Sequence, residues 1–439
     1  MKHSIFGPIM VVTIVFGLLL GVLISTAPQG YAQDSFTPVP DVDVANNDDY
    51  TYDDPARVEN GEAEWALNET QFINNYPDGF TFMGNATSTG GKLASVSVFF
   101  SSVGKEDYEI RQRGEVNPET GQMRVVVEGT DADGIPPWVP INYRWRITDE
   151  SGTIYYSEWI LGAEYADTTR QWTRLETNDA LVFIQEGLPT NIADVMFEKL
   201  AQKREEYLRV FGEPLSYSPR IILFADQTAF QEWRSFEAGA GGTIIVGQAF
   251  GERGTIVQFL FQNETAEELA NTVVHEVTHL YQFDKYEFRA VGWWIEGEAT
   301  FFEFAPDYDY AQRVRNYAIL DQLPRLFVDF GPIPNSAGPD GRGRWGYDVG
   351  YTFYRFMVER FGYETLNQLV QLLAEPEELA GFEVDEHFKA SLEAVTGQSV
   401  DTLERQWRVW LGAPEDFPTL IPTPTIAFNF PPTVTPFGQ

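Results

Sequence analysis

Between residues 80 and 156 apolar and polar positions alternate in short runs. Ser95-Val96-Ser97-Val98-Phe99-Phe100 has period two, as a half-buried strand requires. Residues 80–83, 123–127, 141–147 and 153–156 are further runs of this kind and predict strands. Asp149-Glu150-Ser151-Gly152 is a turn signal between the last two, which predicts a hairpin. The period then changes. Residues 192–211 place Ile192, Val195, Leu200, Leu208 and Phe211 on an amphipathic helix. Arg220-Ile221-Ile222-Leu223-Phe224-Ala225 is a short buried strand, and residues 243–247 and 255–260 are two more. Residues 265–411 are mostly helical in pattern, with later helices over 366–373, 388–395 and 403–411.

These patterns predict an α+β chain. Several short strands with turn signals over 61–165 predict an immunoglobulin-like β-sandwich domain. No residue cluster there suggests chemistry. At the N-terminus Lys2, the uncharged apolar run 9–24 and Gly30-Tyr31-Ala32 predict a signal peptide over 1–32. The run is long enough that an uncleaved membrane anchor is the alternative. Either way the rest faces outward, so the protein is expected to be secreted or on the cell surface. Residues 33–60 carry Asp41, Asp43, Asp48, Asp49, Asp53 and Asp54 with few apolar residues, and predict an acidic linker. Residues 412–439 form a Pro/Thr-rich tail.

One helix carries chemistry. Thr265-Ala266-Glu267-Glu268 is a capping box, with two acids in the first turn to suit the helix dipole. Leu269, Val273, Val277 and Leu280 follow as an apolar stripe, and the pattern ends at Gln282-Phe283-Asp284-Lys285. Away from that stripe lies His275-Glu276-Val277-Thr278-His279, an H-E-x-x-H motif. Residues four apart share a helix face, so His275 and His279 can offer imidazoles to one zinc ion. Glu276 can then act as general base toward a water activated by that ion. Only four histidines occur in 439 residues, and two of them are used here.

A catalytic zinc site needs a third protein ligand. A histidine at 285 would supply it in one protease pattern, but the chain has Gln282 and Lys285 where that pattern needs glycine and histidine. Trp293-Trp294-Ile295-Glu296-Gly297-Glu298-Ala299 resembles the W-L-x-E-G-x-A segment of the gluzincin metallopeptidases. Residues 346–362, ending in Phe361-Gly362, resemble the next helix of the peptidase MA-like members of that clan. The resemblance spans about 170–411. It implies a thermolysin-like catalytic domain over 170–411, with a mixed sheet, zinc-binding helices and a helical subdomain. It implies Zn2+ as cofactor and Glu296, seventeen residues after His279, as third ligand. It also implies that Tyr347, with Tyr351 or His387 in reserve, donates to the oxyanion of peptide hydrolysis. Glu298 should face away from Glu296, and Glu303 could accept from a ligand histidine. The aminopeptidases of the clan hold a free amine with G-x-M-E-N; Gly239-Ala240-Gly241-Gly242 is not that motif, which favours an endopeptidase.

Charge narrows the partners. Lys plus Arg number 30 against 65 acids, a net charge of −35, which argues against nucleic acid and anionic membrane surfaces. A membrane enters only if the N-terminal segment is uncleaved. The chain has no cysteine, so neither disulfides nor thiolate zinc sites are available. The expected partner is a peptide or protein substrate. The rival reading is a cell-surface binding or adhesion protein with a structural or vestigial zinc site. Hydrolysis of a non-peptide amide or ester is a third.

Overall fold

The computed structural model describes residues 63–102, 109–128, 135–232, 247–261, 264–303, 309–375 and 382–415. The predicted signal peptide and linker, the Gly239–Gly242 stretch, most of the predicted strand at 243–247 and residues 416–439 of the tail lie outside them.

The N-terminal region is built from β1 (Trp65–Asn74), β2 (Gly79–Ser88), β3 (Leu93–Ser102), β4 (Ile110–Arg113), β5 (Glu115–Asn117), β6 (Gln122–Glu128), β7 (Val139–Asp149), β8 (Ile154–Tyr156) and β9 (Ile160–Tyr165). One sheet has the order β1-β2-β6-β5; the other is β4-β3-β7-β8, with β9 also paired to β7. All pairings here are antiparallel, and β7 and β8 form the expected hairpin. Alternation decides the faces: Ile141, Tyr143, Trp145 and Ile147 on β7 are all buried. They share one core with Phe80 and Phe82 of β2 and Met123, Val125 and Val127 of β6. The two sheets meet there, with Phe82 and Tyr143 ring centroids 4.5 Å apart and Phe80 and Phe100 5.5 Å apart.

The rest of the chain forms β10 (Trp172–Glu176), β11 (Leu181–Gln185), α1 (Ile192–Phe211), β12 (Arg220–Phe224), α2 (Gln227–Glu232), β13 (Gly247–Phe250), β14 (Thr255–Phe259), α3 (Ala266–Tyr286), α4 (Gly292–Phe302), α5 (Tyr310–Ile319), α6 (Trp345–Ala374), α7 (Phe382–Thr396) and α8 (Val400–Leu411). Its mixed sheet has the order β10-β11-β12-β14-β13. The three middle strands are parallel and the edges antiparallel. Near-continuous apolar runs suit strands covered on both faces. Val182, Ile221, Leu223 and Ile256 turn toward the helices, in the core that holds α1, α3, α4 and α6. Phe183, Ile222, Phe224, Val257 and Phe259 join the core of the N-terminal sheets instead. Trp138 stacks on Phe183 at 4.8 Å and 11°, tying that contact together. The N-terminal sheets therefore cover a face that would otherwise expose large aromatics to water.

Two helix–helix details place the site. α3 starts at the expected capping box, with the Glu268 amide donating to Thr265 Oγ1 at 3.2 Å and the Thr265 amide to Glu268 Oε2 at 2.8 Å. It runs on to Tyr286, past the end that the sequence pattern predicts, so Gln282 is an interior helix residue. α4 and α6 approach backbone to backbone at Gly297 and Gly350: a Cβ on Gly297 would strike the backbone of Gly350, and one on Gly350 the Trp293 carbonyl. That contact brings the stretch holding Glu296 against the start of α6, which holds Tyr347. Within α6, Gly362 has φ 79 and ψ 170 and breaks the helix where the aromatic-glycine pair is expected to end it. No helix among the described residues is long and apolar enough to cross a membrane.

Candidate metal and hydrolytic site

His275 and His279 lie one turn apart on α3, with ring centroids 4.8 Å apart. Glu296 on α4 reaches between them. Its Oε2 is 3.3 Å from His275 Nε2 and 3.5 Å from His279 Nε2. One ligand atom from each of the three residues lies within 4.8 Å of the others, and all three residues are buried. Two donors each about 2.05 Å from a tetrahedral zinc stand about 3.3 Å apart, so this spacing fits such an ion. Donor chemistry fits as well: two imidazoles and a carboxylate are ordinary zinc ligands.

Hydrogen bonds at the far side of each ring set the tautomer. His275 Nδ1 is 3.2 Å from Glu303 Oε2, as the sequence spacing allowed. Burial pushes the Glu303 carboxyl up, but His275 and Arg344 outweigh it and hold it below the ordinary range, so Glu303 accepts. His279 Nδ1 is 2.6 Å from Gln282 Oε1. Gln282 Nε2 donates to the Ile295 carbonyl at 2.8 Å and to Glu298 Oε2 at 2.9 Å, so its oxygen must be the acceptor for His279. Both imidazoles then carry a proton on Nδ1, which leaves Nε2, the atom facing Glu296, as the one that would ligate a metal ion. Glu298 takes no place among the three donors; it also accepts from Tyr286 at 2.7 Å.

Glu276 is the anomaly. It is fully buried, and neither carboxylate oxygen forms a hydrogen bond; His279 Nε2 also lacks one. The neighbourhood is β13, the edge strand, where a Cβ on Gly247 would stand 3.3 Å from Glu276 Oε1. Burial pushes the Glu276 carboxyl up, and the two histidines and the Ala249 amide offset this only in part. Burial also pushes the Glu296 carboxyl up, yet His279 and His275 outweigh it and bring it down to about 2. Burial pushes the His275 ring down, but Glu296 and Glu303 outweigh it and bring it up to about 9, so without a metal a proton supplies the positive charge that the cluster calls for. Two imidazoles, a carboxylate and three unbonded polar atoms beside them are what a cation and its water would engage.

Tyr347 opens α6 and is fully buried. Its ring stacks on His275, with centroids 5.9 Å apart at 20°. Burial, then the Glu296 carboxylate, push its phenol well above the ordinary range, so it is a hydrogen-bond donor. Tyr351 packs on Tyr310 at 5.1 Å and is no member of the His-His-Glu cluster. His387 lies on α7, bonded to the Leu372 carbonyl at 3.0 Å; it does not join the site.

Sequence reasoning missed Gln282 and Arg344. Gln282 stands three residues after His279 on the same helix, a spacing that places side chains in contact. No local signal marks Arg344.

No family model and no curated protein sequence matches the chain. Among solved structures it is similar to native yeast LTA4 hydrolase, at TM-score 0.32 and 10% identity over 74% of this chain and 64% of that one. It is also similar to native leukotriene A4 hydrolase from Saccharomyces cerevisiae, at TM-score 0.33 and 11% identity over 81% of this chain and 69% of that one. The chain thus spans less than two thirds of the length of the first of these. Its own geometry establishes a mixed α+β protein with a buried His-His-Glu cluster suited to a metal ion.

Proposed function

We propose that the protein is an exported zinc metallopeptidase of the gluzincin type, an endopeptidase. The observation that carries the reading is Glu276: a buried carboxylate with no hydrogen bond, directly beside three metal donors. A structural zinc site has four protein ligands and no use for such a group. His275, His279 and Glu296 would hold the ion, which supplies Lewis-acid polarisation of a carbonyl and acidification of water.

The protein's own residues do the rest. Glu276 takes a proton from the attacking water and delivers it to the departing amine. Its buried setting strengthens it as a base. Tyr347 donates its hydroxyl proton in a hydrogen bond to the oxygen that gains charge as the carbonyl becomes tetrahedral. Glu303 and Gln282 keep both imidazoles in the tautomer that ligates. β13 is the last strand of its sheet among the described residues, and its outer edge would take an extended peptide.

The strand orders β1-β2-β6-β5 and β4-β3-β7-β8 correspond to A-B-E-D and C′-C-F-G, which supports an immunoglobulin-like sandwich for the N-terminal region. The apolar N-terminal run supports export. Glu276→Gln tests the function. It should keep zinc and lower peptide hydrolysis by about 10³-fold; hydrolysis at the wild-type rate would remove Glu276 from the mechanism.

A further inference from the structure

Arg344 is the residue immediately before α6, three positions ahead of Tyr347. It has φ 64 and ψ 22, a left-handed backbone that favours glycine over any residue with a Cβ. Glycine is at hand in this loop, at Gly341 and Gly343, yet the left-handed position 344 carries an arginine. Its side chain must therefore matter more than its backbone comfort. That side chain is only 9% exposed. Its guanidinium lies 4.5 Å from the centre of the Tyr347 ring. Its Nη2 is 3.9 Å from Glu303 Oε2, the oxygen that faces His275 Nδ1, and makes no hydrogen bond. One buried cation thus touches both groups that flank His275: the ring stacked on it and the carboxylate bonded to it.

We propose that Arg344 is a positioning residue, whose planar guanidinium seats the Tyr347 ring and whose charge seats the Glu303 carboxylate, so that phenol and imidazole are both presented to the metal position. The inference rests on the zinc peptidase reading. The loop does not need the Arg344 side chain to hold its course. Arg313 grips it through Asp340, through the Arg342 and Gly343 carbonyls at 2.8 and 3.0 Å, and through Asp348. A glycine at 344 should accordingly fold and shed backbone strain.

The experiment uses the full chain, as wild type, Arg344→Gly and Arg344→Lys. It measures thermal unfolding, zinc affinity by chelator competition, and kcat and KM on a peptide that the wild type cleaves. Arg344→Gly should unfold at or above the wild-type temperature, bind zinc about 10-fold more weakly and lose about 10²-fold in kcat with KM little changed. Arg344→Lys keeps a charge beside Glu303 but offers no planar group to the ring. It should recover most of the zinc affinity and little of the kcat. Wild-type zinc affinity and kcat in Arg344→Gly would overturn the inference. So would early unfolding of that variant, which would make Arg344 a structural residue. A wild type that binds zinc and cleaves no peptide would refute the peptidase reading alone, and the zinc affinities would still decide on Arg344. A wild type that binds no zinc would end both.

Discussion

Asp149 in the N-terminal sheets and Glu276 in the helical region are equally hidden, at 1% and 0% exposure. Their surroundings are opposite. Asp149 accepts from the Ser88 hydroxyl at 2.5 Å, the Ser151 amide at 2.9 Å and hydroxyl at 2.5 Å, and the Thr153 amide at 3.1 Å. Burial pushes its carboxyl up, but these donors outweigh it and hold it below the ordinary range. Glu276 has only the Ala249 amide nearby and no full hydrogen bond on either oxygen, and burial raises it. One carboxylate closes a turn and is content there. The other is held in a state that the fold alone does not reward, as the proposed role of general base would require. Both regions bury polar groups, but the helical region gathers His275, Glu276, His279, Glu296 and Glu298 within two packed helices.

The sharpest way to break this comparison is to neutralise Glu276. Glu276→Gln should lower hydrolysis by about 10³-fold, some 4 kcal/mol. It should also raise the unfolding temperature of the metal-free protein at neutral pH. The sign follows from the raised carboxyl: above the ordinary carboxylate range the unfolded chain ionises freely while the folded state resists, so the wild type is penalised there and glutamine is not. A Glu276→Gln protein that melts earlier and still hydrolyses peptides would make Glu276 structural. Tyr347→Phe comes next. It should cost about 10²-fold in kcat, near 2.7 kcal/mol, with zinc affinity retained, because only the hydroxyl is lost. An unchanged kcat would return Tyr347 to the packing of α6 against α3.

Asp149→Ala probes the other side. It strips the partners from the Ser151 and Thr153 amides and should destabilise the protein by about 2 kcal/mol in denaturant unfolding, leaving hydrolysis untouched. Its pH signature has the reverse sign to that of Glu276. A lowered carboxyl stabilises above the ordinary carboxylate range and loses that contribution as pH falls through the lowered value, so the difference between wild type and variant should vanish in strong acid. A constant difference across pH would mean that the carboxylate charge is irrelevant to the turn. The smallest effect is expected from Gln282→Leu, about 10-fold in zinc affinity, near 1.4 kcal/mol, measured by chelator competition. No change would leave the His279 tautomer to other groups.

How much of this was legible in the sequence follows from where each signal resides. The α3 cap, the H-E-x-x-H face and the α1 span are written in local spacing, and the structure has them at those residues. Glu296 needed family resemblance, because nothing local says that α4 crosses α3; the Gly297 and Gly350 contact that allows it is tertiary. β1 and β10 were invisible, since Trp65–Asn74 and Trp172–Glu176 are edge strands with no clean alternation and no fully buried residue. Gln282 looked like the end of an apolar pattern because it is polar. In the fold it is buried, and its amide is used on both sides.

The central claim is that His275, His279 and Glu296 form a catalytic zinc site. Elemental analysis of the purified wild type beside Glu296→Ala tests it most directly. About one zinc per wild-type chain, lost in the variant, is the expected result. A wild type that takes up no zinc on reconstitution, or a Glu296→Ala protein that stays fully loaded, would contradict it.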